Sequence, residues 1–317
     1  SLAGSEILAT LPAEAESYAF SGQRSMMDFL AAWIIYYEDR AARESLQRNL
    51  QGEVEQAMLL EQVMVAYFEH FAPMREVIMN DLVEADSPPF AMLMDTKGRI
   101  DSLRIDLDVM DAPVEMNLDR FPRMIAVSQT NQPELMRDGM LQAFELLIDG
   151  VFSANDITRP AGSEFIEELE LGDGVIAHLL SPEWMDDTEL GSVKLKGDLR
   201  PHIFIDGQHV YFSTSLNLSR KVIQQDSGIQ APETEDGTTL VNFGRFQGRT
   251  MGNMFRTLIN VVATFVSGGA NPFEEQIFNS MGNGFAELTG LMNYVEWSSK
   301  QKDGIRQTDY VLDFQGS

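Results

Sequence analysis

The sequence predicts an α+β fold, a curved and largely antiparallel sheet with long helices packed on one face. Three observations carry this reading. Stretches of helical period and clusters of short strands both occur along the chain. Asp-Gly pairs stand between apolar runs at Asp173-Gly174, Asp206-Gly207 and Asp303-Gly304, and Asp-Gly in that setting is the strongest short-range hairpin signal. The chain is 317 residues long and 44% hydrophobic, enough for one large core or two smaller ones. Two divisions are open: an N-terminal α+β half over 1–150 with a C-terminal α+β half over 151–317, or one continuous domain.

From the N-terminus, Glu16 to Phe20 is a short strand stopped by Ser21-Gly22. Ser25, with Asp28 three residues on, forms a capping box that opens a helix. Phe29, Leu30, Trp33, Ile34 and Tyr37 then define an apolar face of helical period. A second helix runs from about Val54 to Phe71 and should turn Met58, Val65 and Phe68 toward a core. Pro73 starts or kinks a third helical piece ending near Leu82, and Ser87-Pro88-Pro89 breaks the helical region. Phe90 to Met94 and Arg99 to Leu107 read as a hairpin about Lys97-Gly98. Met124 to Val127 leads through Pro133 into a helix reaching about Ile148. Glu164 to Leu171 and Val175 to Leu180 form a hairpin about Asp173-Gly174.

The next hairpin joins Ile203-Phe204-Ile205 to Val210-Tyr211-Phe212. Its facing pairs should be Phe204 with His209 and His202 with Tyr211. Ile203, Ile205, Val210 and Phe212 should be buried on one face, with His202 and His209 on a polar, half-covered opposite face. After a polar loop over 226–238 come a strand (Thr239 to Phe243) and helices from Thr250 to about Phe265 and from Pro272 to about Leu288. A closing hairpin has arms Leu291 to Trp297 and Ile305 to Phe314. The text Phe20-Ser21-Gly22-Gln23-Arg24-Ser25-Met26 is similar to Phe246-Gln247-Gly248-Arg249-Thr250-Met251. Each follows a strand and opens a helical region, so two related β-α-β-β halves are expected, with Gly98 and Gly304 in corresponding turns.

Composition narrows the partners. Aspartate and glutamate number 49 against 23 lysines and arginines, for a net charge of −26. The excess is spread over the chain, with 26 acids and 11 bases in residues 1–150 and 23 and 12 in the remainder. Such a surface repels phosphate backbones and anionic membranes, so no nucleic-acid partner is expected. There is no cysteine, which excludes disulfides and thiolate chemistry. The most apolar run, Leu258 to Val266, is about half the length of a membrane span. The eighteen methionines are scattered through apolar stripes and read as core filler.

Candidate functional residues follow from local chemistry. Gly244 to Thr250 departs from a nucleotide-binding loop, which needs four residues between its glycines and a lysine before the hydroxyl residue. It reads as a helix start capped by Thr250. Free amides there beside Arg249 can hold a carboxylate or phosphate, and Arg24 with Ser25 would do likewise at the first helix. His202 and His209 share a strand face, but no third ligand for a metal stands at a usable spacing. Asp101, Asp106, Asp108, Asp111 and Glu115 form one acidic cluster, and Glu183, Asp186, Asp187 and Glu189 another. Both read as solvated surface, so no metal and no cofactor is expected. No sequence motif of a serine hydrolase, zinc protease or dinucleotide enzyme is present.

Leu11-Pro12-Ala13-Glu14, leading into a strand, is similar to the Leu-Pro-Ala-Asp-Thr opening of a broad family of uncharacterised bacterial envelope and lipoprotein-type domains. Ile203 to Ser215, a strand, an Asp-Gly turn, a strand and then Ser213-Thr214-Ser215 before a helix, resembles the same family. Glu14-Ala15 stands where that family tends to have Asp-Thr. The resemblance implies an extracytoplasmic, periplasmic or membrane-anchored location with no established activity, and an export signal with a lipid anchor just before Ser1. The function it implies is a non-enzymatic binding or structural protein of the envelope, with an unknown protein or small ligand as partner. The alternative is a hydrolase using carboxylates or a divalent metal.

Overall fold

The computed structural model describes residues 2–107, 113–154, 158–159, 164–181, 191–224, 228–234, 237–267, 280, 283–284, 286–287 and 289–314. Its centre is one curved antiparallel sheet, not closed into a barrel, so the fold is α+β. In chain order the elements are α1 (Leu2–Ala9), β1 (Ser17–Ser21), α2 (Met26–Leu50) and α3 (Val54–Glu76). A π-helical segment (Val77–Leu82) and α4 (Val83–Ala85) continue α3. Then follow β2 (Asp86–Leu107), β3 (Val114–Thr130), α5 (Pro133–Ala154), β4 (Ile166–Gly172), β5 (Val175–Leu180), β6 (Gly191–Gly197), β7 (Leu199–Asp206), β8 (His209–Ser215) and α6 (Leu216–Gln224). Last come β9 (Thr239–Gln247), α7 (Gly248–Ser267), β10 (Met292–Lys302) and β11 (Ile305–Phe314).

The strands lie in the order β11-β10-β9-β1-β2-β3-β8-β7-β5-β4, with β6 also on β2. Pairs β1–β9 and β3–β8 join residues 1–150 to residues 151–317 within this one sheet. At its middle, β11-β10-β9 and β1-β2-β3 stand back to back about the antiparallel β1–β9 pair. Each trio has β-α-β-β connectivity, with the helix opening directly after β1 or β9. The two helix starts, capped by Ser25 at α2 and placed at Gly248 in α7, therefore occupy the same topological context; Thr250, expected as the cap, lies instead within the first turn of α7.

Alternation along the strands builds the core. Phe243, Phe20, Ala91, Val127, Tyr211, Phe204 and Ala177 form one cross-strand row on one face. This row packs against Ile7 and Leu8 of α1 and Leu218 and Val222 of α6. On the other face Phe90, Ala126, Ile203 and Val210 pack against α2, the π-helical segment and α5 through Met26, Ile78, Met136 and Met140. The long helices α2, α3 and α5 thus belong to one face. The opposite face carries the short α1 and α6, and this corrects the expectation that the His202 face is half open. Because both faces are covered, β7 and β8 need apolar side chains on each.

The tight turns follow their dihedrals. Asp173-Gly174 and Asp303-Gly304 both have positive φ at both residues, as a type I′ hairpin requires. The third hairpin differs from expectation by two residues: Asp206 pairs with His209, Phe204 with Tyr211 and His202 with Ser213. Its turn is Gly207-Gln208, with Gly207 at φ +59 in the first central position. A shift of two leaves every side chain on its expected face.

Lys97-Gly98 is not a hairpin turn. It is a bulge within β2, where the register against β3 shifts between Asp95 and Gly98. A Cβ on Gly98 would come 2.6 Å from the Phe121 carbonyl oxygen, so only glycine permits this approach. The bulge separates the part of β2 that pairs with β1 from the part that pairs with β6. Pro73 likewise lies inside α3 and does not end it.

The α2–α3 hairpin overturns a burial expectation. Its less exposed positions repeat every three to four residues: Met27, Ala31, Ile34, Glu38, Ala41 and Ser45 on α2, and Ala57, Leu60, Met64, Tyr67 and Phe71 on α3. On α2 the seam is made largely of small and polar residues, Ala31, Glu38, Ala41 and Ser45, met by larger side chains of α3. Phe29, Leu30, Trp33 and Tyr37, and Met58, Val65 and Phe68 on α3, are instead exposed. Asp108 and Asp111, the second acidic cluster and most of the Pro272-to-Leu288 helix lie outside the described residues.

Candidate functional site

Residues from three separate parts of the chain meet at the start of α7. Gln247 ends β9, Arg249 and Asn253 lie on the first turns of α7, Thr96 and Lys97 form the β2 bulge, and Arg120 stands beside it on β3 at φ +63. With Glu16 they line a cleft of about 240 Å³. Thr250 is buried and donates to Glu16 Oε2 at 3.0 Å, and Lys97 Nζ lies 3.1 Å from Glu16 Oε1. Gln247 N donates to Ser17 Oγ at 3.2 Å, and Asn253 Nδ2 to Thr96 Oγ1 at 3.3 Å. One carboxylate is therefore already held where the helix presents positive potential. Arg120 and Arg249 are exposed and have no carboxylate partner among the described residues. The lining thus holds three bases and one acid, in a chain with 23 bases and 49 acids.

The corresponding start of α2 is filled. Ser25 Oγ accepts from Asp28 N at 3.1 Å while Asp28 Oδ2 accepts from Ser25 N at 3.1 Å, the expected capping box. Asp86, buried at 7% exposure, accepts from Met27 N at 2.7 Å and from Ser128 Oγ at 2.5 Å. Burial pushes the Asp86 carboxyl above its usual range, and the hydrogen bonds from Ser128 and Met27 offset part of this. Arg24 is exposed beside this turn. Because β1 and β9 run antiparallel, Arg24 with Ser25 and Arg249 with Thr250 lie beyond opposite ends of that strand pair.

His202, Phe204, Tyr211 and His209 share one face, as expected from the hairpin. Their rings follow one another at centroid separations of 6.0, 4.4 and 6.3 Å. Two aromatic rings thus stand between the imidazoles. His202 is fully buried, with Nδ1 2.6 Å from the Arg200 carbonyl oxygen and Nε2 2.8 Å from Ser219 Oγ. Its Nδ1 donates to the carbonyl, and in the neutral ring Nε2 accepts from the Ser219 hydroxyl. Burial holds its pKa below the usual value, against the opposing Arg200 contact and Asp198 charge. Tyr211, in the same row, is pushed up to about 12 by burial.

Next to the cleft lies a second polar cluster that sequence reasoning missed. Arg123 binds Asp95 in bidentate fashion, Nε to Oδ1 at 2.8 Å and Nη2 to Oδ2 at 2.6 Å, and Nη1 reaches Asp198 Oδ2 at 3.5 Å. Asp198 also accepts from Ser215 Oγ at 2.7 Å and Asn217 Nδ2 at 2.9 Å, while Asp95 Oδ1 accepts from Lys97 N at 3.0 Å. This cluster pins the β2 bulge from which Lys97 projects. Among the described residues no group of three or more histidine, aspartate or glutamate side chains is placed to hold a metal. Of the cleft, the sequence marked only Arg249 and Thr250. Lys97, Arg120 and Glu16 carry no local signal, since their convergence is made by strand pairing across more than two hundred residues.

No protein-family model matches this chain, and neither a curated protein nor a solved structure matches it.

Proposed function

We propose that the protein is a non-enzymatic binding protein of the bacterial envelope, and that the cleft at the start of α7 holds the anionic group of its ligand. The observation that carries this reading is the convergence of Lys97, Arg120 and Arg249 on one cleft of a strongly acidic chain. Two guanidinium groups without carboxylate partners among the described residues offer planar paired donors that fit a carboxylate or a phosphate. The first amides of the 20-residue α7 add their dipole. Glu16 ties up Thr250 and Lys97 and leaves both arginines for the ligand. Phe243 and Leu240 of β9 pack in the core and set the backbone of this cleft at the end of a buried strand.

Calorimetric titration of the full chain with inorganic phosphate and with acetate tests the site. Saturable binding that weakens at least ~10-fold in Arg249→Gln and in Arg120→Gln, and weakens with added salt, is the expected result. Absence of saturable binding, or binding indifferent to both substitutions, would sink it. The compartment rests on the resemblance of Leu11 to Glu14 and Ile203 to Ser215 to envelope domains. Fractionation of cells expressing the full-length gene should place the protein outside the cytosol.

A further inference from the structure

The cleft leaves the exposed apolar side chains of the α2–α3 hairpin unexplained. Eight large apolar side chains of α2 and six of α3 are exposed, fourteen in all, from Phe29 through Phe68. Several expose half or more of their surface: Trp33 53%, Tyr36 57%, Leu59 61% and Val63 58%. Four of them form a connected ridge of aromatic rings. Phe29 and Trp33 rings lie 6.3 Å apart, Trp33 and Tyr37 5.1 Å, and Tyr36 and Tyr37 5.3 Å. Beside this aromatic ridge runs a groove of about 370 Å³ between the helices, lined by Leu30, Trp33, Tyr37, Val63, Met64 and Tyr67. Glu38 is the one carboxylate in its lining, and it is neutralised by Arg75 at 2.7 and 3.1 Å with a further hydrogen bond from Tyr67.

We infer that this α2–α3 arm is the dimerisation surface of the protein, docking ridge into groove against the arm of a second copy to form a four-helix bundle. Area is the first argument. Fourteen half-exposed large side chains over the arm present on the order of 1,000 Å² of apolar surface in all. A standard interface needs about 800 Å² per partner. Self-complementarity is the second. One arm carries both a ridge and a groove, so a two-fold axis places each ridge in the other groove, as an isologous contact requires. A helix that is apolar on several sides is normally covered, and the packing of α2 on α3 and the sheet and of α3 on α5 leaves these side chains outside. Charge argues against a lipid surface as the occupant, because the chain carries −26 and anionic headgroups repel it.

The absence of cysteine makes the test clean. Sedimentation of the wild-type chain from about 1 to about 100 μM should show a concentration-dependent dimer. Trp33→Glu should weaken the dimer at least ~100-fold, since two symmetry-related aromatic anchors are lost at once. Ile305→Glu, at a still more exposed apolar position on β11, should leave it intact. Tyr37→Cys, alone in a cysteine-free chain, should form an intermolecular disulfide under mild oxidation. This readout does not depend on Trp33→Glu folding well. A wild-type chain that stays monomeric throughout overturns the inference, as does a dimer that survives Trp33→Glu without the Tyr37→Cys crosslink. A monomer that binds zwitterionic vesicles, or only a foreign apolar helix, overturns it equally.

Discussion

Replacing Arg123 with methionine should be among the most damaging single changes in the molecule. The side chain is 14% exposed, and its partners Asp95 and Asp198 are 8% and 11% exposed. Burial alone would lower the Arg123 pKa, but hydrogen bonding and charge from Asp95, then Asp198, outweigh it and raise the value. Methionine fills the volume and removes the charge, leaving two nearly buried carboxylates. Asp198 keeps its donors from Ser215 and Asn217, while Asp95 keeps the Lys97 amide. Breaking one buried pair costs about 3–5 kcal/mol. Two orphaned carboxylates with partial compensation belong in the same range. Urea unfolding of Arg123→Met at neutral pH should show this loss. Asp95→Asn in the same background should restore part of it, giving a coupling energy above about 1 kcal/mol in the double-mutant cycle. A deficit under about 1 kcal/mol, or no recovery in the double variant, would refute the view that Arg123 is needed chiefly to neutralise its partners.

Two further predictions concern pH. Burial raises the folded-state pKa of Asp86, so its contribution to stability should fall as pH rises from about 4 through the raised value and stay reduced above it. The difference in urea midpoint between wild type and Asp86→Asn should show that slope, and a flat difference would count against it. Burial lowers the pKa of His202, so its contribution is present above about 6.5 and is lost as pH falls through and below that value. His202→Gln should therefore lose less stability than wild type between pH 7 and 5. Parallel losses in the two proteins would show that another group carries the acid sensitivity.

Much of the local structure was legible because its chemistry is local. Asp173-Gly174 and Asp303-Gly304 specify type I′ turns through residues that tolerate positive φ, and Ser25 with Asp28 specifies a helix start through two hydrogen bonds three residues apart. The absence of cysteine and the charge of −26 were likewise properties of the chain alone. The similarity of Phe20-to-Met26 with Phe246-to-Met251 marked two helix starts that each follow a strand of the sheet, but Gly98 and Gly304 do not stand in corresponding turns, since Gly98 is a bulge within β2. Tertiary structure decided the rest, because burial depends on what lies opposite a residue. Phe29 and Trp33 carry the period of a buried helix face, yet the partner helix meets α2 through Ala31, Ala41 and Ser45 and leaves the aromatics outside. His202 looked half exposed until α6 was placed over its face. Lys97-Gly98 resembled a turn, and only the pairing of β2 with β1, β3 and β6 made it a bulge. The cleft depended most on the fold: Lys97, Arg120 and Arg249 are scattered in sequence and adjacent only because β9 pairs with β1, and β1 with β2.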